Sequence, residues 1–217
     1  MRNMKKILTY IRNKISKIGL FFHRKFNRNK NITIISRDCI GGVIYNQYGL
    51  KFLSPTINLY FIPTEFNLFC LNLHQYIDSD LVANPNNKES FPVGILKPKS
   101  LDLKEIKIYF MHYNSFEEAQ RKWEERKQRI QWDNIFVISN VTNPGDSATC
   151  SPELIADFNK IPYKKVIFVD KKYGFDNEYL LKRPKNHSIA WVLLPSSKLC
   201  TWKKMINKFN FNKFFRR

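Results

Sequence analysis

The chain has 217 residues, 43% hydrophobic and 15% aromatic. That is enough for one domain of about 150–200 residues with its own core, and too apolar for a disordered chain. Its net charge of +19 is uneven: residues 1–30 carry ten Lys/Arg and residues 196–217 carry seven, both without an acid, which leaves 20 basic against 18 acidic residues between them. This argues against a basic nucleic-acid groove through the fold, and leaves phosphate or lipid head groups as partners for the two ends.

The four cysteines, Cys39, Cys70, Cys150 and Cys200, are far apart, with no CxxC pair and no Cys/His spacing for zinc. They are expected to be reduced, in a cytoplasmic protein. In residues 1–30, Met4, Ile7, Leu8, Ile11, Ile15, Ile18 and Phe22 recur every three or four positions, with Lys5, Lys6, Arg12, Lys14 and Lys17 mainly off that stripe. The apolar run 18–22 is too short for a signal peptide or a membrane span. A basic amphipathic helix is predicted, either lying on an anionic inner leaflet or packed on its own domain.

Residues 31–195 read as an α/β domain. The β-branched run 32–35 predicts a buried strand, followed by Ser36-Arg37-Asp38-Cys39, Ile40-Gly41-Gly42 and a helical run over 43–50. A second strand is predicted over 57–62 and a helix over 64–81 capped by Thr64, with His74 on it. After the polar loop 83–90, a short strand or turn follows Phe91-Pro92-Val93-Gly94, and a strand over 106–111 leads to His112. Ser115 and Glu118 form a capping box for a helix with Ala119, Trp123 and Ile130 inward and charged residues outward. A strand over 134–139, a Pro-Gly loop over 140–149 and the start signal Ser151-Pro152-Glu153 come next. A strand over 165–169 ends at Asp170, a charged loop runs to Asn186, and a last strand is predicted over 188–194. Residues 196–217 form a basic aromatic tail.

Alternating apolar strands and helices imply a three-layer α/β/α single domain with a mostly parallel or mixed sheet. If the strands before Cys39, His112, Asn140 and Asp170 are mostly parallel, the loops after them meet at the carboxyl edge, where open sheets bind ligands. That edge would gather Arg37, Asp38, Cys39, His112, Asn114, Asp146, Cys150 and Asp170, with Arg126 or Arg129 in reach. Cys39, at a strand-to-helix turn, is a candidate nucleophile with a lowered thiol pKa. His112 would be its base, Asp146 or Asp170 the group orienting the histidine, and the backbone around Gly41 and Gly42 an oxyanion hole. Alternatively Asp38 and His112 form the acid/base pair and Cys39 is packed, as buried cysteines usually are. No metal site, GxGxxG or P-loop is present.

The runs SRDCIGGVIYNQYGLKFLSPTINLYF, FPVG, IYFMHYNSFEEAQRKWEERKQRIQWDNIFVI and DSATCSPELIADFNKIPYKKVIF, in that order, resemble a bacterial family. It is the domain of unknown function 1919, often labelled exopolysaccharide biosynthesis protein. The resemblance covers about residues 31–195. Cys39, Gly41, Gly42, His112, Trp123, Arg126, Arg129, Cys150 and Glu153 fall on its pattern. Ile40 stands where that pattern has an aromatic residue, and Asp146 is what remains of an acidic turn before Cys150. The resemblance implies an α/β/α fold and a role in making or decorating capsule or surface glycans. Acyl transfer to a sugar, including a lipid-linked one, is the expected reaction, with acyl-CoA as donor and no bound cofactor. A nucleotide-sugar glycosyltransferase and a non-catalytic membrane-associated assembly protein are the alternatives.

Overall fold

The computed structural model describes residue 25 and residues 29–141, 150–181 and 209–216. Strands β1 (Thr33–Ser36), β5 (Ile135–Asn140), β6 (Lys164–Val169) and β7 (Glu178–Leu180) form a parallel sheet in the order β1-β5-β6-β7. Strands β2 (Asp80–Ala83), β3 (Val93–Lys97) and β4 (Ile106–Tyr109) form a separate antiparallel sheet.

The centres of β1, β5 and β6 are apolar because both faces of their sheet are covered. Successive side chains alternate between two cores. Ile34, Phe136, Ile138, Val166 and Phe168 point to one, packed on Ile40, Ile44, Tyr45 and Tyr48 of helix α1 (Ile40–Tyr48). Ile35, Ile135, Val137, Ile167 and Val169 point to the other. That second core contains α2 (Pro63–Leu71), α3 (Leu73–Ile77), α4 (Phe116–Lys127) and α5 (Pro152–Asn159), and it meets Leu81, Leu96, Ile106, Ile108 and Phe110 of the antiparallel sheet and its flanks. The result is the expected three-layer α/β/α arrangement with a second sheet added. The chain's end contributes α6 (Phe211–Phe214), whose Phe211, with Phe215, is buried against Phe136 and Phe168.

Several local expectations need correction. Residues 57–62 form no ladder strand; Tyr60 makes one bridge, to Tyr109. The helix expected over 64–81 breaks at Asn72, whose φ of −122° and ψ of 41° are not helical, and its end is β2. The charged loop before Asn186 contains β7, which follows β6 without a helix. Ser151 caps α5 as expected, accepting from Leu154 N–H at 3.2 Å. Ser115 caps α4 by accepting from Glu118 N–H at 3.2 Å, but the Glu118 carboxylate reaches Asn114 N–H, one residue further back than a capping box requires. The strand expected over 188–194 and the helix expected over most of 1–30 lie outside the described residues.

Candidate functional site

Strands β1 and β5 are parallel neighbours. The helix after β1, α1, packs on one face of the sheet, while the helix after β5, α5, packs on the other. Chains leaving neighbouring strands in opposite directions open a crevice at the carboxyl edge, the place where open α/β sheets bind ligands. The residues at that edge are Arg37 and Asp38, just after β1, and Asn140, the last residue of β5.

Arg37 and Asp38 are only 3% and 5% exposed, so their polar atoms must be satisfied from within the protein. Arg37 donates to Asn140 Oδ1 at 3.1 Å and to the Phe61 carbonyl at 3.3 Å, and lies 3.8 Å from the Asp38 carboxylate. Asn140 Nδ2 donates to Asp38 Oδ2. Asp38 Oδ1 accepts from Ile40 N–H, the first of α1, at 3.0 Å, from the position before the N-cap Cys39. Ser36 Oγ donates to the Asp38 carbonyl at 2.8 Å, which fixes the turn. Gly41 is required there, since a Cβ would come within 2.4 Å of Ser36 Oγ; at Gly42 the nearest atom would be at an ordinary 3.5 Å.

Cys39 follows in the turn, 5% exposed. Its Sγ is 3.9 Å from the Leu59 carbonyl and 4.0 Å from Met111 Sδ. Burial, and then the neighbouring Asp38 carboxylate, push the thiol pKa up to about 12. The lowered thiol pKa expected from the strand–helix turn is therefore overturned. Its premise was a helix N-terminus stabilising the thiolate, but Asp38 already takes the Ile40 N–H and brings a negative charge instead.

The other expected residues divide clearly. His112 follows β4, which is antiparallel and in the other sheet, so the supposition that its strand shares the parallel edge is corrected. His112 is exposed, next to Met111, the residue that touches Cys39. Asn114 is exposed beyond it. Arg126 is buried, donating to Tyr113 Oη at 2.6 Å, and Tyr113 Oη donates to the Ile57 carbonyl at 2.9 Å. Arg129 pairs instead with Glu125 along α4. Cys150 Sγ is 3.0 Å from Tyr173 Oη, and Asp170 is exposed after β6. Asp146 lies outside the described residues. Among the described residues no group of three His, Cys, Asp or Glu is placed to hold a metal.

Asn140 and Tyr113 were missed as site residues by sequence reasoning. The available signal for Asn140 was a polar pair, Ser139-Asn140, directly after the apolar run 135–138 at a strand's carboxyl end. Tyr113 carried none, because its role depends on Arg126, 13 residues away.

Fold and site define an α/β protein with a built polar centre at a sheet switch point. Residues 9–216 match the family described as "Domain of unknown function (DUF1919)". The chain belongs to that family, and the match extends past the 31–195 span at both ends. It is also similar to a protein of Haemophilus influenzae described as an uncharacterized protein, at 32% identity over 203 residues and 90% of each chain.

Proposed function

We propose that the chain is a transferase of cell-surface polysaccharide biosynthesis that moves an acyl group from acyl-CoA to a sugar hydroxyl. The observation that carries this reading is the buried Arg37–Asp38–Asn140 cluster at the β1/β5 switch point, which gives a ligand crevice a rigid polar floor. The family resemblance supports the glycan acceptor. The burial of Cys39, which favours the protonated thiol, supports direct transfer rather than transfer through an acyl-cysteine.

In this route the sugar hydroxyl attacks the thioester carbonyl. The new ester C–O bond forms as the C–S bond breaks, and the hydroxyl proton passes through a base to the departing CoA thiolate. His112 is that base: it is exposed, next to the Met111 that touches Cys39, and histidine is the usual residue for such a transfer. Asp38 and Asn140 are positioning residues, since their polar atoms are engaged with the protein's own chain. Residues 1–30, basic and without an acid, attach the protein to the inner face of the membrane, where lipid-linked sugars are found. Among the described residues no helix is long and apolar enough to cross a membrane.

The test is a thermal shift of the full chain with acyl-CoAs and nucleotide sugars, followed by release of CoA thiol with a glycan acceptor. A ligand at 100 times its Kd stabilises by about 2.7 kcal/mol. Acyl-CoA alone should shift the protein, His112→Ala should slow transfer by about 10²–10⁴-fold, and Cys39→Ser should retain it. A shift with nucleotide sugars alone would assign glycosyl transfer, a reading favoured by the switch-point crevice because nucleotide phosphates commonly bind there. No shift with either and no CoA release would leave an assembly protein without catalysis.

A further inference from the structure

Residues 59–61 join the turn after β1 to the antiparallel sheet. Phe61 N–H donates to the Arg37 carbonyl at 2.9 Å. Tyr60, one residue earlier, bridges to Tyr109 at the end of β4, each N–H donating to the other's carbonyl, at 2.9 and 3.0 Å. Residues paired in this way carry their side chains on the same face. The rings of Tyr60 and Tyr109 are accordingly stacked, 4.6 Å apart and 10° from parallel. Phe91 meets Tyr60 edge to face at 6.3 Å, and the bond from Phe110 N–H to the Pro92 carbonyl, at 2.9 Å, holds its segment against the end of β4.

These three rings belong to neither core. In β4 Ile106 and Ile108 point inward, so Tyr109 lies on the face that Lys107 turns to water. Tyr60, Phe91 and Tyr109 are all half-buried, and Met111, which touches Cys39, is 37% exposed beside them in sequence. A set of rings ordered by the backbone but left outside both cores is an apolar shelf at the surface. The charges that act on it are mixed. Burial, and then Glu89 and Tyr109, push the Tyr60 phenol up to about 12, while Arg37 acts in the opposite direction. Burial, and then Glu65 and Glu89, raise the Tyr109 phenol.

We propose that Tyr60, Tyr109 and Phe91 form an acceptor-sugar subsite beside the Arg37–Asp38–Asn140 centre, holding a pyranose ring by its apolar face. The proposal rests on the reading of a sugar as acceptor and adds where that sugar sits. The negative face of an aromatic ring attracts the weakly positive C–H bonds on the flat side of a pyranose. The equatorial hydroxyls then point sideways, where carboxylates accept from them and cationic side chains donate to them. Mixed charge suits such a neutral polyol, whereas a surface for anionic head groups would carry one sign. His112 follows Tyr109 by three residues and so lies no more than about 11 Å away along the chain, a distance that a short oligosaccharide on the shelf spans.

Saturation-transfer NMR on the full chain tests this, with methyl β-glucoside, methyl β-galactoside and octyl β-glucoside as probes. Saturation should reach the ring C–H protons of at least one sugar. Tyr109→Ala and Tyr60→Ala should weaken that sugar's binding by about 3- to 10-fold. Tyr109→Phe, which keeps the ring, should bind like the parent, as should Trp132→Ala, which removes an exposed ring stacked on His74 instead. Thermal melts check that each variant folds. No transfer to any of the three sugars, or equal binding by Tyr109→Ala and the parent, would overturn the subsite. Transfer to the octyl chain rather than to the ring, with the same dependence on Tyr109, would overturn it in favour of the lipid of a lipid-linked sugar. CoA release separates this proposal from the reaction. Sugar binding that depends on Tyr109, without CoA release by the parent, would leave the subsite standing and remove acyl transfer. CoA release with an acceptor KM unchanged in Tyr109→Ala would do the reverse.

Discussion

Two aspartates, each paired with a basic residue, separate the two halves of this molecule. Asp38 lies 3.8 Å from Arg37 at the end of the parallel sheet, with both side chains nearly inaccessible. Asp78 lies 2.8 Å from Lys99 beside the antiparallel sheet, with both side chains mostly exposed. The shorter pair is the weaker one, because water screens it and competes for its charges, while the buried pair has no solvent to fall back on. The same contrast runs through the sheets. β1 and β5 are buried along their whole length, whereas β4 alternates, with Ile106 and Ile108 inward and Lys107 facing water. The covered sheet delivers its polar residues to a closed centre, and the half-covered sheet leaves His112 exposed just past β4.

Breaking the closed centre should produce the largest effect. Asp38→Ala removes the acceptor for Ile40 N–H and for Asn140, and leaves the Arg37 guanidinium buried without its carboxylate. A loss of about 3–5 kcal/mol is expected, read from the urea midpoint. Asp38→Asn keeps an acceptor for Ile40 N–H and should lose less. Equal losses from both would make the charge, not the hydrogen bond to Ile40 N–H, the dominant contribution.

The raised Cys39 thiol sharpens the comparison through pH. The folded state keeps this proton up to about pH 12, while an unfolded chain releases it near the ordinary value of 9.0. Between these values the folded state binds more protons, so stability falls as pH rises from about 9 to 12. Below that window Cys39 contributes no pH dependence. Tyr45 and Tyr48, also raised by burial, act in the same direction at higher pH. Urea midpoints of the parent and Cys39→Ser across pH 8–11 check this, and the variant should show the flatter profile. Alkylation of Cys39 in the folded protein should have a midpoint far above that of a free thiol.

The two glycines of the turn should respond with opposite signs. Gly41→Ala drives a Cβ into Ser36 Oγ, which is held by the Asp38 carbonyl, and should cost about 1–3 kcal/mol. Gly42→Ala makes only ordinary contacts within α1 and should stabilise by about 0.5–1 kcal/mol, since alanine loses less backbone entropy in a helix. Thermal melts of both variants decide it.

The readable parts of the fold were those set by local chemistry. The apolar runs of β1, β5 and β6 and the Ser151-Pro152 start of α5 act within a few residues of themselves. β7 was not readable: it is three residues long, lies in charged sequence, and is a strand only because β6 presents an open edge. β2 was read as the end of a helix because Leu81 continues the apolar spacing of Leu73 and Ile77, while pairing with β3 decides otherwise. The assumption that brought His112 to the parallel edge had a warning in the sequence. An apolar/polar alternation at Ile106, Lys107 and Ile108 marks a sheet with one wet face, whereas buried parallel strands carry near-continuous apolar runs. For the site, Asp38 and Cys39 were legible from the turn, but the state of the thiol was not. Its burial under Leu59 and Met111 comes from segments 20 and 72 residues away.

The smallest effect belongs to the exposed pair, and it tests the comparison most directly. The Lys99 ammonium holds the Asp78 carboxyl below the usual carboxylate range, first through a hydrogen bond and then through its charge. By distance alone Asp78→Ala should be costlier than Asp38→Ala. By exposure it should be nearly silent, because the exposed Lys99 ammonium is hydrated in full once the bridge is gone and its long side chain recovers its freedom. The expected outcome is a Tm unchanged within error at neutral pH, at low and at high salt alike. A drop comparable to that of Asp38→Ala would mean that the antiparallel sheet holds a polar centre as strongly as the parallel one. Burial would then no longer explain why the site lies where it does.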